Sequence, residues 1–177
     1  EAVSIRRFLI DTDTGSDDAW AIVEALCAAD IARVEAITTV CGNFPLDLCT
    51  KNALLAEDAA GAYLPPVYRG VEHPLLSKKS FAAYRVHGED GLGGLNLPAP
   101  ARTAEKKHAV QAIIDLVREN PGEIEIITIG PLTNIAAALT LAPDLAQKIK
   151  KLWILGGSAG ICGNLTACAE YNVGSDP

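Results

Sequence analysis

Four aspartates lie close together near the start of the chain, at Asp11, Asp13, Asp17 and Asp18. Carboxylates this close repel one another and raise each other's pKa, so they are most easily held together around a cation. Calcium suits such a cluster because it takes ~6–8 oxygen ligands, whereas magnesium requires a tighter octahedron. The alternative is that Asp17 and Asp18 only cap a helix and Asp11 only forms a turn, which explains four acids poorly. The cluster therefore predicts a divalent metal site.

Two other acidic motifs compete with this interpretation. An EF-hand loop starting at Asp13 would place Asp18 where a glycine is required, and it would follow a strand instead of a helix, so we reject it. Phosphatases of the haloacid-dehalogenase type begin with an apolar strand and DxDxT, which Asp11–Thr14 matches. Under that hypothesis the protein is a magnesium phosphohydrolase with Asp11 as nucleophile and Asp13 as acid. It also expects an acidic pair after a later strand, where this chain has Gly156-Gly157 instead.

The hydrophobic pattern places the acidic cluster directly after a buried strand. Short apolar or β-branched runs predict strands, and the Ala- and Leu-rich segments between them predict helices. The predicted strands are 7–11, 34–40, 67–69, 123–129 and 150–155, and the predicted helices are 17–29, 46–63, 103–120 and 133–141. This alternation predicts an α/β fold with a mostly parallel, Rossmann-like open sheet and helices on both faces, in a single domain over residues 1–177. Residues 72–102 and 156–177 are predicted to form loops.

The polar and glycine-rich segments follow the predicted strands. These segments are Asp11–Asp18, Cys41–Asn43, Gly130-Pro131 and the stretch from Gly156 onward. Ligands of open α/β sheets bind outside the carboxyl ends of the strands. We therefore expect the segments to form one shared site.

Composition narrows the class of protein. The 177 residues carry 15 Lys+Arg and 22 Asp+Glu, a net charge of −7, which argues against a nucleic acid or an anionic membrane surface as partner. Five scattered cysteines without a CxxC motif are expected to be small buried thiols of a reducing compartment. No stretch is apolar and long enough to span a bilayer and no leader opens the chain, so we expect a cytoplasmic protein.

Five ordered motifs resemble the signature of the inosine–uridine-preferring nucleoside hydrolases. The first four are Asp11–Ala19 (DTDTGSDDA), Thr39–Asn43 (TVCGN), Val86–Gly93 (VHGEDGLG) and Ile129–Ala136 (IGPLTNIA). The fifth comprises Gly156-Gly157, Gly163-Asn164, Ala169–Asn172 and Asp176-Pro177, which match a GG…GN…AEFN…DP pattern. The resemblance runs from Asp11 to Pro177 and is specific because all five motifs fit in order and spacing. It implies that family's fold and a calcium-dependent enzyme that cleaves the N-glycosidic bond of ribonucleosides, giving ribose and a free base.

The resemblance also implies roles for single residues. Asp13 would bind Ca²⁺ and act as the general base for the attacking water, Asp18 would bind the ion bidentately, and the main-chain carbonyl of Ile129 would be a third ligand. Asp11 would orient the cluster from behind. The expected substrate-binding residues are Asp17, Asn43, Asn164, Glu170 and Asn172, with Leu155 and His87 near the sugar or the base. A carboxylate such as Glu170 would favour the positive charge that develops at the anomeric carbon.

One departure from the family pattern concerns Pro177, the last residue of this sequence. The family continues well beyond that point, with a further acidic calcium ligand and, in many members, a histidine that protonates the leaving base. Three protein ligands are few for calcium. We therefore expect the 177-residue chain alone to be inactive or very weak, or to be a ribose- or calcium-binding homologue without turnover. The resemblance further implies a homo-oligomer, either a dimer or a tetramer.

Overall fold

The computed structural model describes residues 5–76 and 83–177, and its core is one parallel sheet. The strands are β1 (Arg6–Thr12), β2 (Ala32–Thr39), β3 (Val67–Arg69), β4 (Ile124–Thr128) and β5 (Lys151–Ile154). Their order is β3-β2-β1-β4-β5, and every neighbouring pair is parallel. The predicted α/β fold with an open parallel sheet is therefore confirmed.

Helices cover both faces of the sheet, as predicted. They are α1 (Ser16–Cys27), α2 (Leu46–Ala60), α3 (Tyr84–His87), α4 (Ala109–Glu119), α5 (Thr133–Leu141) and α6 (Tyr171–Ser175), with a 3-10 helix at Pro143–Gln147. Successive residues of β1 point to opposite faces. Ile10 packs in one core cluster with Ile22 of α1, whereas Leu9 packs in the other with Ile113 of α4. Because β1 is the middle strand, the residues that follow it lie at the middle of the sheet's carboxyl edge.

Strand order also explains where a ligand can enter. From β1 the chain runs outward to β2 and β3 on one side, and it later returns to place β4 and β5 on the other. Asp11 accordingly lies opposite Thr38 of β2 and Thr128 of β4. Such a point of reversal leaves a crevice outside the carboxyl ends of the strands.

The predicted start of α4 was wrong by six residues. The helix begins at Ala109, not at residue 103, because the preceding segment is held against the sheet edge. The N–H of Glu105 donates to the carbonyl of Val67 at 2.8 Å, and Glu105 forms an isolated bridge with Tyr68. His108 then caps the helix by accepting a hydrogen bond from the N–H of Val110. Helices α3 and α6 lie in segments predicted as loops, since they are too short to leave a hydrophobic period.

The cysteines only partly follow the prediction. Cys41 and Cys49 are buried and free, but Cys27, Cys162 and Cys168 are exposed and free. Cys27 lies at the end of α1, and the other two follow β5 on the surface. Within residues 5–76 and 83–177, none of the helices has the length and apolar character needed to traverse a bilayer.

Candidate active site at the carboxyl ends of the strands

A cavity of about 600 Å³ opens at the crevice beside β1. Nine of the residues predicted from the sequence line it: Asp17, Asp18, Asn43, His87, Ile129, Leu155, Asn164, Glu170 and Asn172. The lining also includes Ala83, Val86 and Tyr171, which the sequence analysis did not single out. Asp11 and Asp13 are fully buried behind this surface. The structure thus brings residues from six separate segments into one place.

Asp13 lies directly behind the cavity wall. Its Oδ2 accepts a hydrogen bond from the N–H of Asn43 at 2.6 Å, whereas its Oδ1 is buried and has no hydrogen-bond donor among the described residues. Burial raises the pKa of Asp13 to about 7, although the Asn43 N–H acts in the opposite direction. A buried carboxylate oxygen without a donor is costly unless a cation or a proton satisfies it.

Asp18 forms a pair with Asp13. It is 4% exposed, and its Oδ2 accepts a hydrogen bond from the N–H of Gly15 at 2.9 Å. Burial, followed by the negative charge of Asp13, raises the pKa of Asp18 well above its usual range. Asp17 differs, because its side chain is 73% exposed on the cavity side. The acidic turn therefore supplies two desolvated carboxylates and one that a ligand can reach.

Asp11 is held from two sides beneath the turn. Its Oδ1 accepts hydrogen bonds from Thr38 Oγ1 at 2.5 Å and from Asn134 Nδ2 at 2.8 Å. Burial raises the pKa of Asp11 to about 7, with both donors acting against that shift. Two donors on one oxygen fix this carboxyl group beneath the turn. Like Asp13, Asp11 is fully buried and lies outside the cavity lining, and its Oδ2 has no hydrogen-bond partner among the described residues.

The residues predicted to hold a cation are Asp13, Asp18 and, through its main-chain carbonyl, Ile129. The Ile129 carbonyl lines the same wall and accepts a hydrogen bond from Asn172 Nδ2 at 3.2 Å. Among the described residues, no three His, Cys, Asp or Glu side chains come together in a group that could hold a metal ion by itself. The donor types fit calcium, and the unpartnered Asp13 oxygen is suited to it, but the donors are fewer than the ion's usual ~6–8.

Two glycines allow the chain to close around Asp13. A Cβ atom at Gly42 would overlap Asp13 Oδ2 and the ring of Pro131, and one at Gly130 would lie 2.9 Å from Asp13 Oδ1. Both glycines lie within the motifs Thr39–Asn43 and Ile129–Ala136, but no role was predicted for either from the sequence. The available signal was a glycine directly after a strand, where a ligand or another chain segment often approaches closely.

The far wall of the cavity is a surface segment that is held by its own polar groups. Asn164 Oδ1 accepts the N–H of Tyr171 at 2.8 Å. Glu170 caps α6 by accepting the N–H of Asn172 at 3.0 Å, and it also accepts the N–H of Gly157 at 2.9 Å. These side chains therefore shape the segment and also face the space in which a sugar would lie.

Leu155 directly follows β5 at the rim of the cavity, and its N–H donates to the carbonyl of Thr128 at 2.9 Å. It is 57% exposed, so it is not a core residue. Its carbonyl accepts a hydrogen bond from Asn172 Nδ2 at 3.0 Å, which ties the far wall to the strand.

His87 connects α3 to the acidic turn. The side chain is buried, and its Nδ1 lies 2.8 Å from Ser16 Oγ and 3.8 Å from Asp17 Oδ1. Its ring lies against Gly15, where an added Cβ would be 3.0 Å from it, and edge-on to Phe44. His87 lines the cavity as expected, while its Nδ1 is engaged by the start of α1.

Comparisons with known proteins show the family to which the chain belongs. The chain matches the family model described as "Inosine-uridine preferring nucleoside hydrolase" over residues 8–177. It is 41% identical over 172 residues to a "Probable uridine nucleosidase 2" of Oryza sativa subsp. japonica, covering 97% of this chain and 51% of that protein. It is 40% identical over 174 residues to an "Inosine-uridine preferring nucleoside hydrolase" of Leishmania major, covering 97% of this chain and 54% of that protein.

A solved structure gives the same result in three dimensions. The plant nucleoside hydrolase PpNRh1 superposes with a TM-score of 0.92 at 39% identity, covering 98% of this chain and 55% of that one. The chain thus spans about half the length of the relatives it matches. Because the family model matches nearly the whole of this chain, the chain belongs to the inosine–uridine-preferring nucleoside hydrolase family.

Proposed function

We propose that this protein is a calcium-dependent nucleoside hydrolase that splits the N-glycosidic bond of ribonucleosides into ribose and a free base. One observation carries the proposal within the family: Asp13 and Asp18 are buried together behind a polar cavity with no basic side chain paired to them in the described ranges. A carboxylate pair of this kind supports a cation site. The asparagines and the exposed Asp17 on the wall provide donors and acceptors suited to ribose hydroxyls.

The proposed roles follow from the exposure and partners of each group. Asp13, Asp18 and the Ile129 carbonyl would hold the ion. When bound, calcium would supply positive charge that offsets the two carboxylates and lowers the pKa of a nearby water. Asp13 Oδ1, which has no hydrogen-bond donor among the residues that the structure describes, is the atom proposed to accept the proton from the attacking water.

The residues proposed to bind the ribose come from both walls of the cavity. Asp17, Asn43 and Asn172 would bind the ribose hydroxyls, and Glu170 would stabilise the positive charge developing at the anomeric carbon. In the balanced step, the water oxygen bonds to the anomeric carbon and the C–N bond breaks. The base leaves with the electron pair of that bond and takes up one proton from solvent. Asp13 takes one proton of the water and then releases it to solvent, so no net proton is gained or lost.

Calcium-dependent ligand binding by the 177-residue chain tests the proposal. We expect calcium to raise the Tm, and inosine or uridine to raise it further only when calcium is present, because a ligand of the native state stabilises by mass action. Asp13→Asn should abolish both shifts, whereas Asp115→Asn, which changes a carboxylate of α4 far along the chain, should preserve them.

Release of free base, measured in the same samples, separates the two forms of the proposal. Calcium-stimulated release that Asp13→Asn abolishes would support the enzyme. Binding without release would identify the non-catalytic ribose- or calcium-binding homologue. A chain whose Tm responds to neither calcium nor nucleoside would overturn the proposal.

The cytoplasmic location and the homo-oligomer, dimer or tetramer, stay predictions. Light scattering coupled to size-exclusion chromatography would measure the oligomeric state directly.

A further inference from the structure

Asn134 lies in the first turn of α5, fully buried behind the candidate site. Its Nδ2 donates to Asp11 Oδ1 at 2.8 Å and to the carbonyl of Thr39 at 3.0 Å. Its Oδ1 accepts the N–H of Val71 at 2.9 Å. One amide thus joins the ends of β1 and β2 to the segment that follows β3. The roles implied by the family resemblance do not include this residue.

The first connection from Asn134 to the site runs through Asp11. Asn134 and Thr38 donate to the same carboxylate oxygen, so the carboxyl group of Asp11 is fixed between β2 and α5. Asp11 and Asp13 lie two residues apart at the end of one strand. Fixing the first therefore limits how the backbone presents the second.

The second connection runs through the turn after β2. The carbonyl of Val71, whose N–H is held by Asn134, accepts the N–H of Cys41 at 3.1 Å. Two residues later, the N–H of Asn43 donates to Asp13 Oδ2 at 2.6 Å. Three hydrogen bonds and the backbone between Cys41 and Asn43 thus connect the Asn134 amide to the carboxylate of Asp13.

The surroundings of Asn134 show that this contact is built closely. A Cβ atom at Gly70 would overlap both amide atoms of Asn134, so the segment after β3 lies flat against the side chain. The adjacent Thr133 donates to Asp176 Oδ2 at 2.6 Å. The Asp176 carboxylate in turn accepts the N–H groups of Leu75 and Leu76. The start of α5 therefore binds Val71 directly through Asn134, and it is connected to Leu75 and Leu76 through Thr133 and Asp176.

We infer that Asn134 is a positioning residue, which orients Asp13 through Asp11 and through the turn at Cys41–Asn43 without touching substrate or ion. The inference rests on the proposed function in so far as Asp13 is the metal ligand and base. Its structural content, the placement of the Asn43 N–H on Asp13, can be measured without calcium.

The test compares Asn134→Ala with Val117→Ala, which removes buried volume from the core at α4, away from the site. Hydrogen exchange of the metal-free chain is measured at the amides of Cys41 and Asn43, and calcium affinity is measured by calorimetry. We expect Asn134→Ala to speed exchange at both amides at least 10-fold more than Val117→Ala does. We also expect at least a 10-fold loss of calcium affinity in Asn134→Ala and less than a 2-fold loss in Val117→Ala.

A second variant covers the case in which Asn134→Ala does not fold. Asn134→Asp has the same size but loses both donated hydrogen bonds, and the double variant Asp11→Asn with Asn134→Asp restores one of them with donor and acceptor exchanged. Slower Asn43 exchange in the double variant than in Asn134→Asp supports the inference. Asn43 exchange equal to that of the unsubstituted chain in a folded Asn134 variant overturns it. Failure of the unsubstituted chain to bind calcium would count against the proposed function, while the exchange result would still decide the role of Asn134.

Discussion

The two ends of strand β1 differ in whether their charged side chains are paired. At the amino end, Arg6 pairs with Glu125 at 2.5 Å and Arg7 pairs with Glu35 at 2.7 Å. The hydrogen bond from Arg6 is the main cause that lowers the pKa of Glu125 to about 2. At the carboxyl end, burial raises the pKa of Asp13 to about 7, and no described basic side chain is paired with it. Ion pairs therefore lie at the amino end of β1, and a carboxylate without a basic partner directly follows its carboxyl end.

The paired charges at the amino end of β1 stabilise the fold, whereas the unpaired carboxylates after its carboxyl end are expected to serve function. Burying Asp13 and Asp18 together without a positive partner costs free energy in the folded chain. A cation that binds only the folded state would offset that cost. Sites where a chain breaks the rule of pairing buried charges are the places where function is expected.

The largest effect is expected at Asp18. Asp18→Asn should weaken calcium binding at least 100-fold, about 2.7 kcal/mol, because it removes one of two carboxylates. In the metal-free chain at pH 8, the same change should raise the free energy of unfolding by about 1 kcal/mol, since a carboxylate whose pKa is raised by burial and by Asp13 no longer has to be ionised. Calorimetry and urea unfolding in chelator measure the two quantities.

Asp30→Asn, an exposed carboxylate in the turn after α1, is the control and should change neither quantity. The comparison between the ends would break if Asp18→Asn destabilised the metal-free chain, because the carboxylate would then be a stabilising group like Glu125.

The next effect concerns the space around Asp13. Gly42→Ala should lower the free energy of unfolding by about 2–3 kcal/mol, as is typical for overpacking a tight site, because its Cβ has to displace Asp13 or the Pro131 ring. Gly61→Asn is the control, since Gly61 ends α2 in a left-handed conformation with open space around its Cβ position. Urea unfolding compares the two, and a Gly42→Ala cost below that of the control would show that the turn adapts.

Much of the fold could be predicted because the signals were local. Buried strands such as β1 and β4 are short apolar runs that any compact α/β chain needs, and each of the five predicted strands is present. The start of α4 could not be predicted, because residues 103–108 contain helix-forming types that pair with the edge of the sheet instead. That contact, between Glu105 and Val67, depends on segments far apart in the sequence.

The candidate site divides along the same line. The acids and asparagines of the cavity were found because their types, motifs and places after strands can be read from the sequence. Asn134 was within a quoted motif, but its contacts with Asp11, Thr39 and Val71 span 123, 95 and 63 residues. A role that depends on three such contacts leaves no local pattern.

At the paired end of β1, Glu125→Gln should have the opposite sign from Asp18→Asn. Because the folded pKa of about 2 lies below the ordinary 4.5, the ionised Glu125 stabilises the folded chain above pH 4.5, and this contribution is lost as the pH falls towards 2. We expect the free energy of unfolding to fall by about 1.5–2 kcal/mol at pH 7, the lower part of the range for a hydrogen bond to a charged group. Urea unfolding at pH 7, 4 and 2.5 should show the difference shrinking.

Glu119→Gln, at an exposed position of α4, serves as the control for this pH series. Its free energy of unfolding should equal that of the unsubstituted chain at every pH. A Glu125→Gln difference that stayed constant from pH 7 to pH 2.5 would mean that packing, and not the ion pair with Arg6, stabilises this end of the sheet.

The smallest effect is expected on the far wall of the cavity, which neither end of β1 supports. Glu170→Ala removes the cap of α6 and the acceptor for the Gly157 N–H. Loss of a cap costs about 1 kcal/mol, and since α6 is a five-residue surface helix, we expect this cost as local opening. Hydrogen exchange at Gly157 and Asn172 should become about 5-fold faster, while exchange at Asn43 stays unchanged. If Asn43 also exchanged faster, the two walls would be one cooperative unit, and the far wall would share the rigidity of the acidic turn.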